Sequence, residues 1–262
     1  MRTNIDGFDT YLYSGSRPLV AAQRTVLFVH GAAHDHSVWA LQSRYFAHHG
    51  FNALAVDLPG HGRSEGAPLP TIDAIADWLP RVLGAVGVAK AAVVGHSMGS
   101  LAALSCAARH ANRVEKLALL GPAVPMQVSD ALLWAARGND HLAFELINGW
   151  SHSAAKQLGG NQVPGMWMTG AAMRLMERSA PGVLYTDLKA CADYDGGLVA
   201  AAAVQCPSLV IMGARDVMAP PRGAQALLAA LAQPTITSLP DTGHALMAEQ
   251  PDAVLDALRK FL

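Results

Sequence analysis

Charged side chains are scarce in this 262-residue chain. Asp, Glu, Lys and Arg together make up 15% of it, and 19 cations against 20 anions leave a net charge of −1. With no block of either sign, it lacks the electrostatic footprint of a nucleic-acid binder or of a protein that rides on an anionic membrane. Cysteine is equally sparse. Cys106, Cys191 and Cys206 are odd in number and widely spaced, so they form neither a disulfide framework nor a zinc site and read as thiols of a cytoplasmic protein. Hydrophobic residues reach 52%, much of it alanine in helical patterns, yet no apolar run approaches the ~20 residues a membrane helix needs. The opening Met1-Arg2-Thr3-Asn4-Ile5-Asp6 lacks the apolar core of a signal peptide. There is no repeat, low-complexity tract or linker. The length suits one α/β domain with an insertion, or two small domains, and can bury roughly 70–75% of the unfolded surface.

Against these absences stands Ala91-Ala92-Val93-Val94-Gly95-His96-Ser97-Met98-Gly99-Ser100-Leu101, around which the rest of the chain is ordered. A short apolar run ends in Gly-His-Ser-Met-Gly and passes at once into an Ala/Leu-rich helical pattern. The pattern is strand, sharp turn and helix, with Ser97 at the apex. Glycines two residues to either side suit a strained turn where strand and helix pack closely.

Other strands fit the same scheme. Residues 8–20 are short, broken by Gly15 and Pro18, and predict one or two edge strands. Residues 25–29, 52–56, 116–120, 208–212 and 235–239 are apolar or β-branched runs, as expected for strands covered on both faces. Helical patterns follow them: to about His49 with Val38, Leu41 and Tyr45 at helical spacing, over 71–86, to about His110, over 224–231 with Leu227 inward, and from Pro251 with Val254, Leu258 and Phe261 inward. Strands alternating with helices predict a doubly wound, mostly parallel sheet. The alternation stops over 125–190. That block is broken by Gly138, Gly149, Gly159-Gly160, Pro164 and Pro181, and holds Met126, Met166, Met168, Met173 and Met176 with Trp134, Trp150 and Trp167. It predicts a helical cap inserted into a core of residues 1–124 and 191–262. Most of its large side chains are expected to form the cap's own core, and some to face a pocket over Ser97.

A serine hydroxyl becomes a nucleophile when a base takes its proton and a carboxylate orients that base. Ser97, Asp216 and His244 each end a predicted strand, along the edge where open parallel sheets gather their chemistry. Rival acids have other expected roles. Asp241 braces its own tight loop, Asp193 and Asp195 sit in an exposed turn, and Asp57 organises a Pro-Gly-His-Gly loop. His30 is expected to shape a turn, and His34 to sit near the pocket mouth. The backbone amides of Met98 and Ala32 are the expected oxyanion donors, with Ala33 the alternative to Ala32. Nothing calls for a cofactor or a metal.

His30-Gly31 with Trp39 downstream, Asp57-Leu58-Pro59-Gly60-His61-Gly62-Arg63-Ser64, the Ser97 turn, Gly213-Ala214-Arg215-Asp216 with Pro220, and Gly243-His244 with Glu249-Gln250-Pro251 together resemble the α/β-hydrolase superfamily, serine branch, over nearly the whole chain. Ser100 departs from the second glycine often found after the turn. The resemblance implies the α/β-hydrolase fold and a Ser97–His244–Asp216 triad; serine in place of aspartate argues against the dehalogenase and epoxide hydrolase branches. The leading expectation is a carboxylic-ester hydrolase acting on a small to medium apolar, ester-like small molecule, with no nucleic-acid or membrane partner. A C–C bond hydrolase or lactonase, with Arg137, Arg174 or Arg178 near a substrate carboxylate, and a slow-turnover small-molecule receptor stand as alternatives, because one fold and triad serve many substrates.

Overall fold

The computed structural model describes residues 1–159 and 165–262. The chain opens with β1 (Arg2–Ile5) and β2 (Phe8–Tyr13), an antiparallel hairpin whose turn is Asp6-Gly7. Both turn residues have positive φ, 58° and 90°, the backbone a two-residue hairpin requires. β2 falls within the expected 8–20, β1 lies before that range, and no regular strand occupies residues 14–20.

Next come β3 (Arg24–Val29), α1 (Ala40–His48), β4 (Phe51–Val56), α2 (Ile72–Ala85), β5 (Ala91–His96), α3 (Met98–Arg109) and β6 (Val114–Leu120). Five helices follow: α4 (Asp130–Arg137), α5 (His141–Ser151), α6 (Ala154–Gln157), α7 (Met168–Met176) and α8 (Val183–Ala192). The breaks expected at Gly160 and Pro164 lie outside the described residues. The chain closes with α9 (Gly197–Ala203), β7 (Ser208–Gly213), α10 (Gln225–Ala230), β8 (Thr235–Leu239), α11 (Leu246–Glu249) and α12 (Pro251–Phe261).

The strands form one eight-stranded sheet in the order β1-β2-β4-β3-β5-β6-β7-β8. The neighbours from β4 to β8 all pair in parallel, and β1 and β2 are antiparallel. Alternation along a strand sends Leu27 and Val29 into one apolar core, with Leu79, Val82 and Leu101 of α2 and α3, and sends Val26 and Phe28 into a second, with Trp39, Phe46, Val254 and Leu258. α2 shows why a covering helix forms. Thr71 Oγ1 caps the Ala74 amide at 3.1 Å, and Ile72, Ile75, Ala76, Leu79, Val82 and Leu83 recur on its buried face.

The segment before α1 winds as a 3₁₀ turn over His36–Trp39, which rotates the register of the helix after it. Trp39, Gln42, Ser43 and Phe46 are the buried residues here, Val38 and Tyr45 are half-buried against the same core and Leu41 is exposed; Trp39 and Phe46 pack on Phe28 at ring-centroid distances of 5.2 and 6.1 Å. In the inserted helices, Leu132, Ala135, Ala136, Ile147, Met176, Leu184 and Leu188 make a small core of their own, which also takes in Ala33 from the loop after β3. Trp134 and Trp167 lie outside it, 80% and 75% exposed, because α4 turns Leu132 and Ala135 inward and Trp134 outward. α8 runs past the expected cap boundary at residue 190, and Ala190 and Cys191 join the main core. Among the described residues, no helix is long and apolar enough to cross a membrane.

Candidate active site

Ser97 stands between β5 and α3 with φ 53° and ψ −120°, a conformation that costs a side-chain-bearing residue of order 1–3 kcal/mol. The neighbouring contacts explain both glycines. A Cβ on Gly95 would come within 2.0 Å of the Gly99 carbonyl oxygen, and one on Gly99 within 2.4 Å of the Val29 carbonyl oxygen. Strand and helix therefore touch backbone to backbone, which forces the turn between them. The Ser97 amide donates to the Leu120 carbonyl at 3.0 Å, and Ser100 Oγ donates to the Ser97 carbonyl at 2.6 Å. Ser100 thus uses its hydroxyl to brace the turn.

His244 and Asp216 meet across two loops, His244 Nδ1 lying 2.7 Å from Asp216 Oδ2 with both side chains buried. The other oxygen of Asp216 accepts from the amides of Met218 and Ala219, at 2.9 and 2.8 Å. Since both carboxylate oxygens accept, the His244 proton sits on Nδ1. Nε2 has no hydrogen-bond partner among the described residues. Ser97 and His244 line one cavity of about 1360 Å³, above the ~300–1,000 Å³ usual for small-molecule sites. Its walls include Met126, Met166, Met168, Met176, Trp150 and Ile147 from the inserted segment, with Val38 and Leu41 opposite.

The loop after β3 is fixed by its histidines. The Leu58 amide donates to His30 Nε2 at 3.1 Å, so the ring is protonated on Nδ1, which donates to the Gly31 carbonyl at 2.8 Å. The His34 amide reaches the same carbonyl at 3.3 Å. A trans peptide points its N–H opposite to its C=O, so these two bonds also set the direction of the Ala32 N–H. That amide donates to no acceptor among the described residues, whereas the Ala33 amide is taken by Asp187 Oδ2 at 2.8 Å. The Met98 amide begins α3, where no intrahelical acceptor is available. His34 lines the cavity, and its Nδ1 donates to the Ala32 carbonyl at 2.6 Å. Burial holds the imidazoles of His30 and His96 well below the usual histidine range, so both are neutral. His96 Nε2 donates to the His244 carbonyl at 2.9 Å.

The rival acids sort themselves out. Asp57 accepts from the amides of His36 and Arg63 at 2.7 and 2.9 Å, as a loop organiser should, and Asp193 and Asp195 are exposed. Asp241 does not brace its loop. Its side chain is 79% exposed beside Arg215, and the bracing comes from Glu249, fully buried, which accepts from the Gly243 amide at 3.1 Å and from Ser153 Oγ at 2.6 Å. The expectation failed because closeness in sequence is a poor substitute for a buried approach from another element. Asp35, His36 and Asp57 could bring three ligand atoms within 4.8 Å, but bonds to Ser37, His36 and Arg63 already occupy their carboxylates. Of the three arginines, Arg174 and Arg178 line the cavity, Arg174 paired with Glu177, while Arg137 lies over the Tyr185 ring.

The model of the "Alpha/beta hydrolase family" matches residues 26–257, from within β3 to within α12, which include Ser97, Asp216 and His244. This chain is an alpha/beta hydrolase. A pimeloyl-[acyl-carrier protein] methyl ester esterase of Chromobacterium violaceum is 29% identical over 242 residues, covering 89% of this chain and 90% of that protein. Esterase YbfF of Escherichia coli is 28% identical over 226 residues, covering 80% and 82%. Among solved structures, the enol-lactonase of Burkholderia xenovorans superposes with a TM-score of 0.89 at 23% identity, covering 100% of this chain and 99% of that one, a likeness of fold.

Proposed function

We propose that this hydrolase cleaves carboxylic esters of small to medium apolar substrates through an acyl-enzyme on Ser97. The observation that carries the reading is the buried His244–Asp216 contact of 2.7 Å, with the unpartnered Nε2 in the same cavity as Ser97. His244 Nε2 takes the Ser97 Oγ proton as Oγ attacks the ester carbonyl. The oxyanion that forms is held by the amides of Ala32 and Met98, each donor worth roughly 2.7–4 kcal/mol. His244 then protonates the departing alkoxide and the alcohol leaves. A water, deprotonated by the same nitrogen, hydrolyses the acyl-enzyme and restores Ser97. Engagement of the Ala33 amide by Asp187 favours Ala32 as the second donor. Residues 125–190 act as the cap that supplies the apolar wall. The names of the esterase relatives support ester chemistry. The free Cys106, Cys191 and Cys206 suit a cytoplasmic setting, with burial pushing the Cys106 thiol up to about 12.

A fluorophosphonate probe tests the assignment. It should label Ser97, and Ser97→Ala should abolish labelling and lower kcat on p-nitrophenyl esters by several orders of magnitude. Labelling that survives in the alanine variant overturns it.

A further inference from the structure

A buried ion pair outside this machinery reaches into it. His61, in the loop after β4, places Nε2 2.8 Å from Asp187 Oδ2 of α8 and Nδ1 2.9 Å from the Pro59 carbonyl. Both ring nitrogens face acceptors, so both carry protons and the ring is an imidazolium. Burial alone would push its pKa down, but the Asp187 carboxylate, the hydrogen bond to it and the Pro59 carbonyl outweigh burial and hold the pKa above the ordinary value. The same Asp187 oxygen accepts the Ala33 amide at 2.8 Å.

Ala33 is gripped on every side by the inserted segment. Its carbonyl accepts from Ser179 Oγ at 3.3 Å, and its methyl sits in the insertion's apolar core beside Leu184 and Leu188. Its φ is 52°, a left-handed backbone that alanine avoids unless its surroundings impose it. The peptide joining Ala32 to Ala33 is consequently pinned at both ends, its N–H by Asp187 and its C=O by the His34 ring.

We propose that Asp187 and His61 are positioning residues for the oxyanion loop, so that the geometry of the Ala32 amide depends on the seating of α8. The inference rests on the Ser97 acyl-enzyme reading, because Ala32 matters only if an oxyanion forms beside it. Neither residue of the pair lines the cavity where a substrate would sit. Its loss should therefore be felt in the transition state and spare ground-state binding.

The full-length protein, Asp187→Ala and Asp187→Asn are compared on a p-nitrophenyl ester and with a trifluoromethyl ketone, whose adduct places an oxyanion in the same spot. In Asp187→Ala, kcat should fall on the order of 10²-fold, as a displacement near 1 Å can cause, with KM unchanged and ketone affinity falling by a similar factor. Asp187→Asn keeps a carbonyl acceptor without the charge and should lie between the two. Wild-type kcat and ketone affinity in a folded Asp187→Ala, or a rise in KM alone, overturns the proposal. If Asp187→Ala does not fold, a wild-type kcat in Asp187→Asn overturns it. If the wild-type protein hydrolyses no ester, the Ser97 reading is what fails. Positioning is then read from hydrogen exchange at the Ala33 amide: faster exchange in either variant supports the clamp, and unchanged protection overturns it.

Discussion

Asp216 has both carboxylate oxygens committed, one to His244 and one to two amides of its own loop. In Asp216→Asn the Oδ1 atom can still accept from Met218 and Ala219, so the loop should keep its shape. The Nδ2 amide, however, would donate where the carboxylate accepted, turning the His244 proton to Nε2, the nitrogen that receives one from Ser97 in the proposed mechanism. The expected result is a kcat lower by about 10⁴-fold with a melting temperature close to wild type. A variant within tenfold of wild type would show that His244 does not depend on this acid. Asp241→Asn is the control. With an exposed side chain it should change stability by less than about 0.5 kcal/mol and leave the rate alone. At this scale, candidates at strand ends are legible in sequence, because Gly-x-Ser-x-Gly and a strand ending in Asp or His have local signatures. Asp187 has none, and the Glu249-Gln250-Pro251 run gives no sign of the partner Glu249 takes. Each is a helical acid whose partners, Ser153 and His61, lie 96 and 126 residues away.

Among the elements, the strands of the doubly covered sheet are the most legible, since burial on both faces writes an uninterrupted apolar run. The β1–β2 hairpin is harder to read although Asp6-Gly7 is a strong two-residue turn signal, because Arg2–Ile5 is mostly polar and exposed. Helical periodicity before α1 misleads in another way. The 3₁₀ turn shifts the face, so that Leu41 lines the cavity and Val38 lies between cavity and core. That outcome, with the methionines opposite, makes the cavity wall apolar and deformable. A homologous series of p-nitrophenyl esters from acetate to octanoate should then gain about 0.8 kcal/mol, roughly fourfold in kcat/KM, for each added methylene until the walls are filled. A flat series would place the acyl chain outside this cavity.

For the molecule as a whole, the buried histidines set a limit in acid. His30 and His96 are neutral in the folded state, with pKa values depressed by burial, whereas in the unfolded chain they bind protons below about 6.5. Folding stability should therefore fall as pH drops below that value, by up to about 1.4 kcal/mol per pH unit for each group. His61 works in the opposite sense. Its raised pKa contributes stability that is complete below 6.5 and lost as pH rises through the folded-state value, so it adds no slope in the acid range. Urea titrations at pH 7 and pH 5 check this, and equal midpoints would show that these rings accept protons without unfolding.

The Glu249–Ser153 and Asp187–Ala33 bonds carry a consequence for engineering. Exchanging the segment between β6 and β7 for that of another alpha/beta hydrolase is the obvious way to graft a new specificity. Here that segment is sewn to the recipient at two seams, and each seam has one half of its stitch on the sheet domain. A transplant that carries only the cavity-facing side chains would leave Glu249 buried without Ser153 and the Ala33 amide without its acceptor. The portable unit is thus the donor segment together with its loops after β3 and β4 and the stretch from β8 through α11, and chimeras cut at the strand ends alone should emerge folded but slow.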